Sequence, residues 1–271
     1  MKNMNKGISL PKFNDIMPNE DSFFVSDNCI AISDGAGGCG LYSDEWSRYL
    51  INNLSKDKPI KTFVELDNWI DQIWESFYYE HELRTQQGDG LLQSKFYNEG
   101  SCATLVSGWV IGSNKISWCS YGDSVIFHYN RSSKILEHSF TKLVDFSNSP
   151  MLISCKESLD ESGFRSGMFH IDKDSVIFAA SDALSQYVLM MYMLANRNSY
   201  VDELDEALHA HSFNSNMLQI ADSLKYDFEK DVIDSIANIV DKPLMFEAKM
   251  KELYSNGVLD IDDYTIVFLK Y

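Results

Sequence analysis

Three runs rich in Val, Ile, Trp and Tyr follow one another in the middle of this chain, at 102–111, Lys115–Tyr121 and 124–129. Only Gly112-Ser113-Asn114 and Gly122-Asp123 separate them. β-Branched and aromatic side chains suit a pleated, half-buried surface. A parallel return between strands needs about a dozen residues, so connections this short predict antiparallel neighbours. Nearer the start, Ser22–Val25 and Cys29–Ser33 flank the turn-prone Ser26-Asp27-Asn28 and read as a hairpin. Ser175–Ala180 and 264–271 are further apolar strands.

Helical patterns gather elsewhere. Ser43 stands as N-cap of a helix to Leu54, and Thr62-Phe63-Val64-Glu65 has the form of a capping box. Phe63, Leu66, Ile70, Ile73, Trp74 and Phe77 then recur at three- and four-residue steps as one buried stripe. Residues 184–254 read mostly as helix, while 141–170, rich in Ser and Asn, read as a long loop or small flap. Strands and helices in blocks predict an α+β fold with antiparallel sheets, not a doubly wound parallel sheet.

With 271 residues, 45% of them hydrophobic, the chain can bury a substantial core. It has 5 Pro and no linker-like tract, so residues 1–271 read as a single domain. A formal charge of −17 argues against a nucleic-acid backbone or an anionic membrane as partner. A solvated acidic surface accounts for most of the 40 Asp and Glu. Cysteines 29, 39, 102, 119 and 155 form no C-x-x-C pair and are odd in number, which fits free thiols in a reducing compartment. The N-terminus has no apolar signal-like core. The longest apolar stretch, 187–195, is far short of the ~20 residues that span a bilayer. A soluble, cytoplasmic protein is expected.

Four acidic clusters each sit at the edge of an apolar, strand-like run: Glu20-Asp21, Asp34-Gly35-Ala36-Gly37-Gly38, Ser181-Asp182 and Asp262-Asp263. If folding gathers them, they form an all-oxygen site suited to hard divalent cations such as Mg²⁺ or Mn²⁺. Such cations can hold a phosphoryl group and activate water near neutral pH. Asp is short and loses little side-chain entropy when fixed. Gly35 lets its own carbonyl approach a cation with no Cβ in the way.

Other readings compete. Gly35–Gly40 matches G-x-G-x-x-G, the dinucleotide fingerprint. Against it, Asp34 would repel a pyrophosphate, and the following helix leads through Lys56-Asp57-Lys58-Pro59 to another helix, so no βαβ unit is completed. Asp34-Gly35 is also an ordinary turn dipeptide. Asp123 can be a hairpin-turn residue, Asp182 a helix N-cap, and Asp263 a surface partner of Asp262. His209-Ala210-His211 would point to different faces of a helix and read as surface histidines. The Met-rich run at 189–194 reads as a core helix.

Taken in order, six stretches resemble the metal-dependent serine/threonine protein phosphatases of type 2C. They are Asn19-Glu20-Asp21-Ser22, Asp34-Gly35-Ala36-Gly37-Gly38, Gly100-Ser101-Cys102-Ala103-Thr104, Gly122-Asp123-Ser124, Ser181-Asp182-Ala183 and Asp262-Asp263-Tyr264-Thr265. The resemblance implies a four-layer αββα sandwich of two packed antiparallel sheets flanked by helices. It implies a two-metal centre of Mg²⁺ or Mn²⁺ held by Asp34, the Gly35 carbonyl, Asp182 and Asp262, with Asp34 bridging. Glu20 and Asp21 would lie beside the ions, partly through metal-bound waters, and Asp123 would help to hold a third. A bridging hydroxide would attack the phosphorus of phosphoserine or phosphothreonine in a protein partner.

The chain also departs from that pattern. No arginine precedes Glu20-Asp21, the first in the chain being Arg48; Lys12 can substitute, as a point charge without the planar fork. Ala36 replaces a histidine that serves some members as candidate general acid. Ala183 replaces the Gly of Ser-Asp-Gly, and Gln186 replaces a frequent acid, which weakens a third-metal site. The second functional reading is therefore a phosphatase-like binding or regulatory module with weak or no turnover.

Overall fold

The computed structural model describes residues 5–13, 18–210 and 214–269. Among these residues, thirteen strands form three sheets. The first contains β1 (Lys6–Leu10), β8 (Val125–Asn130), β9 (Ile135–His138), β12 (Ser175–Ala180) and β13 (Tyr264–Leu269), in the order β1-β13-β12-β8-β9. The second contains β2 (Ser22–Val25), β3 (Cys29–Ser33), β6 (Leu105–Ile111), β7 (Lys115–Tyr121) and β11 (Phe164–His170), in the order β11-β7-β6-β3-β2. A small third sheet pairs β10 (Ile153–Ser154), β5 (Ser101–Ala103) and β4 (Gly35–Gly40) as β10-β5-β4. Every pairing is antiparallel, including the expected hairpin, where Ser22 faces Ser33.

The two large sheets pack face to face. Ile30, Ile32, Val106 and Ile116 of one meet Ile126, Ile177, Ala179 and Val267 of the other, all buried. Each fully buried Ile or Val contributes about 1.5–3 kcal/mol relative to exposure. Two helices, α1 (Ser43–Asn53) and α2 (Phe63–Thr85), cover the second sheet through Trp46, Leu50, Leu66, Ile70 and Phe77. Next to them lies α3 (Gly90–Glu99). The first sheet is covered by α4 (Asp182–Ala195), α5 (Val201–His209), α6 (Ser215–Ser223), a helical turn at Phe228–Asp234 running into α7 (Ser235–Ala237), and α8 (Pro243–Ser255). This is the α+β, αββα architecture that the blockwise pattern and the resemblance imply, with a third small sheet added. The Met-rich run lies in α4, where Met190, Met191 and Met193 are buried.

Several local expectations are corrected. The run 102–111 is not one strand, because it changes sheets at Thr104. The glycine segment is itself a strand, β4. Gly122-Asp123-Ser124 is not a hairpin turn; it carries the chain from β7 in one sheet to β8 in the other, with Gly122 at φ 102°. Most residues pay a steric penalty there, and a Cβ on Gly122 would stand 2.8 Å from Cβ of Thr104. Ser43 is the first helical residue, not the cap. Tyr42 occupies the cap at φ 58°, and the Ser43 hydroxyl donates to Glu20 Oε1 at 2.7 Å. Thr62 does cap α2, accepting from Glu65 N at 3.2 Å, but the Glu65 carboxylate turns to Lys61 N. Within 141–170, Phe164–His170 is a full strand paired residue by residue with β7. Of the last expected strand, 270–271 lie outside the described residues, as does His211.

Candidate metal centre

A ribbon of two antiparallel strands builds the floor of the site. Ile32 faces Val106 in the second sheet, and Gly35 faces Ala103 in the small sheet. Between those pairs both strands step from one sheet to the other, at Asp34 and Thr104. The step is fastened on both sides: Thr104 N donates to the Asp34 carbonyl at 2.8 Å, and Asp34 N donates to Thr104 Oγ1 at 3.3 Å. The hydroxyls of Thr104 and Ser124 are bonded at 2.8 Å, which ties the β7–β8 crossing to the same point. Gly35 N donates to the Glu20 carbonyl at 3.1 Å, and a Cβ on Gly35 would lie 2.6 Å from the carbonyl oxygen of Ser43. Only glycine permits that approach.

Over this floor opens a cavity of about 330 Å³. Its walls include Lys12, Glu20, Asp34, Gly35–Gly38, Thr104, Asp123, Pro150, Leu152, Asp182 and Asp262. Strand ends and loops far apart in sequence thus meet at one end of the sandwich. Asp182 enters as the first residue of α4; Ser181, not Asp182, holds the cap position, and Asp182 Oδ1 accepts from Ala183 N at 2.6 Å. Asp262 precedes β13, with Oδ1 accepting from Asp263 N at 2.8 Å. Asp21 is buried, 7% exposed, and neither of its side-chain oxygens has a hydrogen-bond partner. The nearby Thr265 hydroxyl is committed to Ser9 Oγ at 2.6 Å.

Burial and mutual repulsion put this cluster under electrostatic stress. Desolvation, then the charges of Asp21, Asp182, Asp123 and Asp262, push Asp34 well above the usual carboxylate range. Desolvation, then Asp123 and Asp262, do the same to Asp182. Burial pushes Asp21 up to about 7 and Asp123 up to about 6, and raises Asp262. Carboxyl groups held this way are stabilised as anions by an added cation. The donors are all oxygen, and Asp21 carries two unsatisfied ones, so the chemistry of the set fits hard divalent ions. Among the described residues, no three acidic, His or Cys groups already converge on one point as metal ligands do.

Lys12 lies in the cavity wall, but it is engaged. Its Nζ donates to Glu20 Oε2 at 2.9 Å and stands 3.9 Å from Asp262 Oδ1. Burial alone would lower its pKa; Glu20, Asp263 and Asp262 outweigh burial and raise it. Asp263 is no surface residue. It is 3% exposed, and its two oxygens accept from Lys12 N at 2.6 Å and Glu20 N at 2.7 Å, pinning the N-terminal segment against β13.

Sequence reasoning missed Arg165. It sits on β11 opposite Ser120, donates through Nη2 to the Gly122 carbonyl, and lies over the Phe140 ring at 5.3 Å. Its Nε is buried without a partner, and its charge opposes the rise at Asp123. Arg165 lines an adjoining cavity of about 180 Å³ that shares Asp123 and Pro150 with the acidic one. No motif marks it, because the surrounding Phe-Arg-Ser-Gly-Met-Phe shows no helical or strand pattern.

No family model and no curated protein matches the sequence. Solved structures do match along nearly its whole length. The serine/threonine phosphatase PstP/Ppp of Mycobacterium tuberculosis is 16% identical, with 99% of each chain covered and a TM-score of 0.54. PppA of Pseudomonas aeruginosa, a regulatory component of its T6SS, is 16% identical over 99% of this chain and 97% of that one, with a TM-score of 0.53. The PstP catalytic domain in complex with two manganese ions is 16% identical over 98% of this chain and 96% of that one, with a TM-score of 0.54. The chain has the fold of the type 2C serine/threonine phosphatases. At this identity the likeness is one of architecture.

Proposed function

We propose that this protein is a divalent-cation-dependent phosphatase acting on phosphoserine or phosphothreonine in a protein partner. The observation that carries the reading is the gathering of Glu20, Asp34, Asp123, Asp182 and Asp262 around one cavity, with an unpartnered Asp21 buried beside it. Asp34, the Gly35 carbonyl, Asp182 and Asp262 would hold two Mg²⁺ or Mn²⁺ ions, with Glu20, Asp21 and Asp123 around them. Ions held there supply Lewis-acid stabilisation of the phosphoryl oxygens and a water acidic enough to attack near neutral pH. The Asp34–Thr104 bonds fix the floor, so Asp34 keeps its aim without reorganising. Lys12 holds Glu20 in place. Arg165, at the border of the two cavities, adds positive potential where a phosphorylated side chain would enter.

Among the described residues no helix is long and apolar enough to cross a membrane. The free cysteines fit the cytoplasm.

The test is hydrolysis of phosphoserine and phosphothreonine peptides with Mn²⁺, with and without chelator. Chelator-sensitive turnover supports the reading. Metal binding without turnover on any peptide favours the second reading, a phosphoprotein-binding module. That alternative is motivated by the Lys12–Glu20 pair, which leaves Lys12 less free to clamp phosphate, and by Ala36, which supplies no proton.

A further inference from the structure

The glycine strand carries a feature that the acidic cavity does not use. β4 pairs with β5 at Gly35–Ala103 and again at Gly40–Ser101, so residues 36–39 of one strand face only Cys102 of the other. At the end of that bulge Cys39 meets Cys102, with the two Sγ atoms 2.7 Å apart. Cys102 is 4% exposed and Cys39 is half-buried. The neighbouring Gly38 is exposed, and an added Cβ there would meet nothing within 4 Å, so the bulge lies at the surface. A disulfide bond measures about 2.05 Å, so joining the two sulfurs asks for less than about 1 Å of movement. A third thiol, Cys155, follows β10 directly; it is fully buried and accepts a hydrogen bond from Ser101 N at 3.2 Å.

We propose that Cys39 and Cys102 form a modification site: a dithiol that a peroxide converts reversibly to a disulfide, fastening the glycine strand to β5. Cys39 sulfur attacks one oxygen of hydrogen peroxide and the O–O bond breaks. The other oxygen leaves as water, and Cys39 is left as a sulfenic acid. Cys102 sulfur then attacks Cys39 sulfur, the S–O bond breaks, and a second water leaves. The two thiols together lose two electrons and two protons, and the peroxide is reduced to two waters. A small thiol reverses the bond by exchange.

Position gives the bond a consequence. Gly35–Gly38 line the acidic cavity, and Thr104, two residues beyond Cys102, fastens Asp34. The disulfide closes the bulge from which one cavity wall is made. It also closes a long loop, which restricts the unfolded chain and raises thermal stability.

The experiment treats the full chain with hydrogen peroxide, alkylates remaining thiols, and maps linked peptides by mass spectrometry under non-reducing conditions. The expected result is a Cys39–Cys102 link that dithiothreitol removes, together with a melting temperature raised by several degrees before reduction. C39S and C102S each abolish the link and the rise, while C155S keeps both. A link through Cys155, a sulfinic acid at Cys39 with no link, or two unmodified thiols would each overturn the proposal. The peptide map of the unaltered chain decides the matter even if a variant fails to fold.

Discussion

Asp34 and Glu229 are both acids placed among other acids, and they end in opposite electrostatic states. Glu229, in the helical turn beside α7, is bonded by Lys134 and Arg131, and Arg131 also reaches Asp234 at 2.6 Å. The Lys134 hydrogen bond, then Arg131, hold Glu229 below the usual carboxylate range. Asp34 is driven the other way by burial and by its acidic neighbours. Among the described residues lining the acidic cavity, five carboxyl groups face one ammonium, that of Lys12. The first region closes its own charge account within the chain. The second is stable as a set of anions only with cations from outside. An acid's sequence identity says little here; its partners decide whether it is structural or a binding site.

The largest expected difference between the two regions lies in metal affinity. Removing groups that merely support a metal ligand typically weakens binding about 10–100-fold. Asp34→Asn or Asp182→Asn should therefore cost at least about 10²-fold in Mn²⁺ affinity by titration calorimetry, with phosphopeptide hydrolysis falling alongside. Glu229→Gln should leave that affinity unchanged.

Next comes linkage. In the metal-free protein the Asp21 carboxyl titrates at about 7 when folded and at 3.8 ordinarily. Between those values the folded state holds more protons than the unfolded one, so stability falls as pH rises through the window. Divalent ions favour the ionised carboxylates and release those protons. Mn²⁺ should accordingly raise the melting temperature more at about pH 7.5 than at about pH 5. At 100 times its dissociation constant it adds about 2.7 kcal/mol, or roughly 5–10 °C for a domain of this size. Scanning fluorimetry with and without chelator reads it; an equal shift at both pH values would contradict the linkage.

Smaller still is the effect of Asp21→Asn. An unpartnered buried polar group costs about 1–3 kcal/mol, more if charged. Neutralising Asp21 should stabilise the metal-free protein by about 1 kcal/mol near neutral pH, while reducing the gain from Mn²⁺. Urea unfolding in chelator measures the first half. At the other region, Glu229→Gln should destabilise by about 1 kcal/mol, at the upper end for a partly exposed network, and less at high salt.

Much of this was legible in the sequence because it rests on local chemistry. Turn residues at 26–28 and 112–114 gave two antiparallel pairs, β2–β3 and β6–β7, and the stripe from Phe63 to Phe77 gave α2. The four acidic clusters marked strand edges, and each supplies a cavity-lining carboxylate, at 20, 34, 182 and 262. What escaped was non-local. Thr104 breaks a run that looks continuous, because its partner in the break is Asp34, some seventy residues earlier. Gly122-Asp123 reads as a hairpin, since the turn chemistry is the same whether the chain returns to its own sheet or crosses to the next. β11, with Phe-Arg-Ser-Gly-Met-Phe-His, lacks the branched residues that advertise a strand and is held by its pairing with β7. Asp263 and Arg165 act through partners that only folding supplies.

Crystals of the full chain soaked in Mn²⁺ and measured at an anomalous wavelength would put the ions themselves in view. We expect two anomalous peaks inside the cavity bounded by Asp34, Asp182 and Asp262, and none beside Glu229. A cavity without peaks, with Lys12 or Arg165 turned in to neutralise the carboxylates instead, would contradict the reading of this cluster as a cation site.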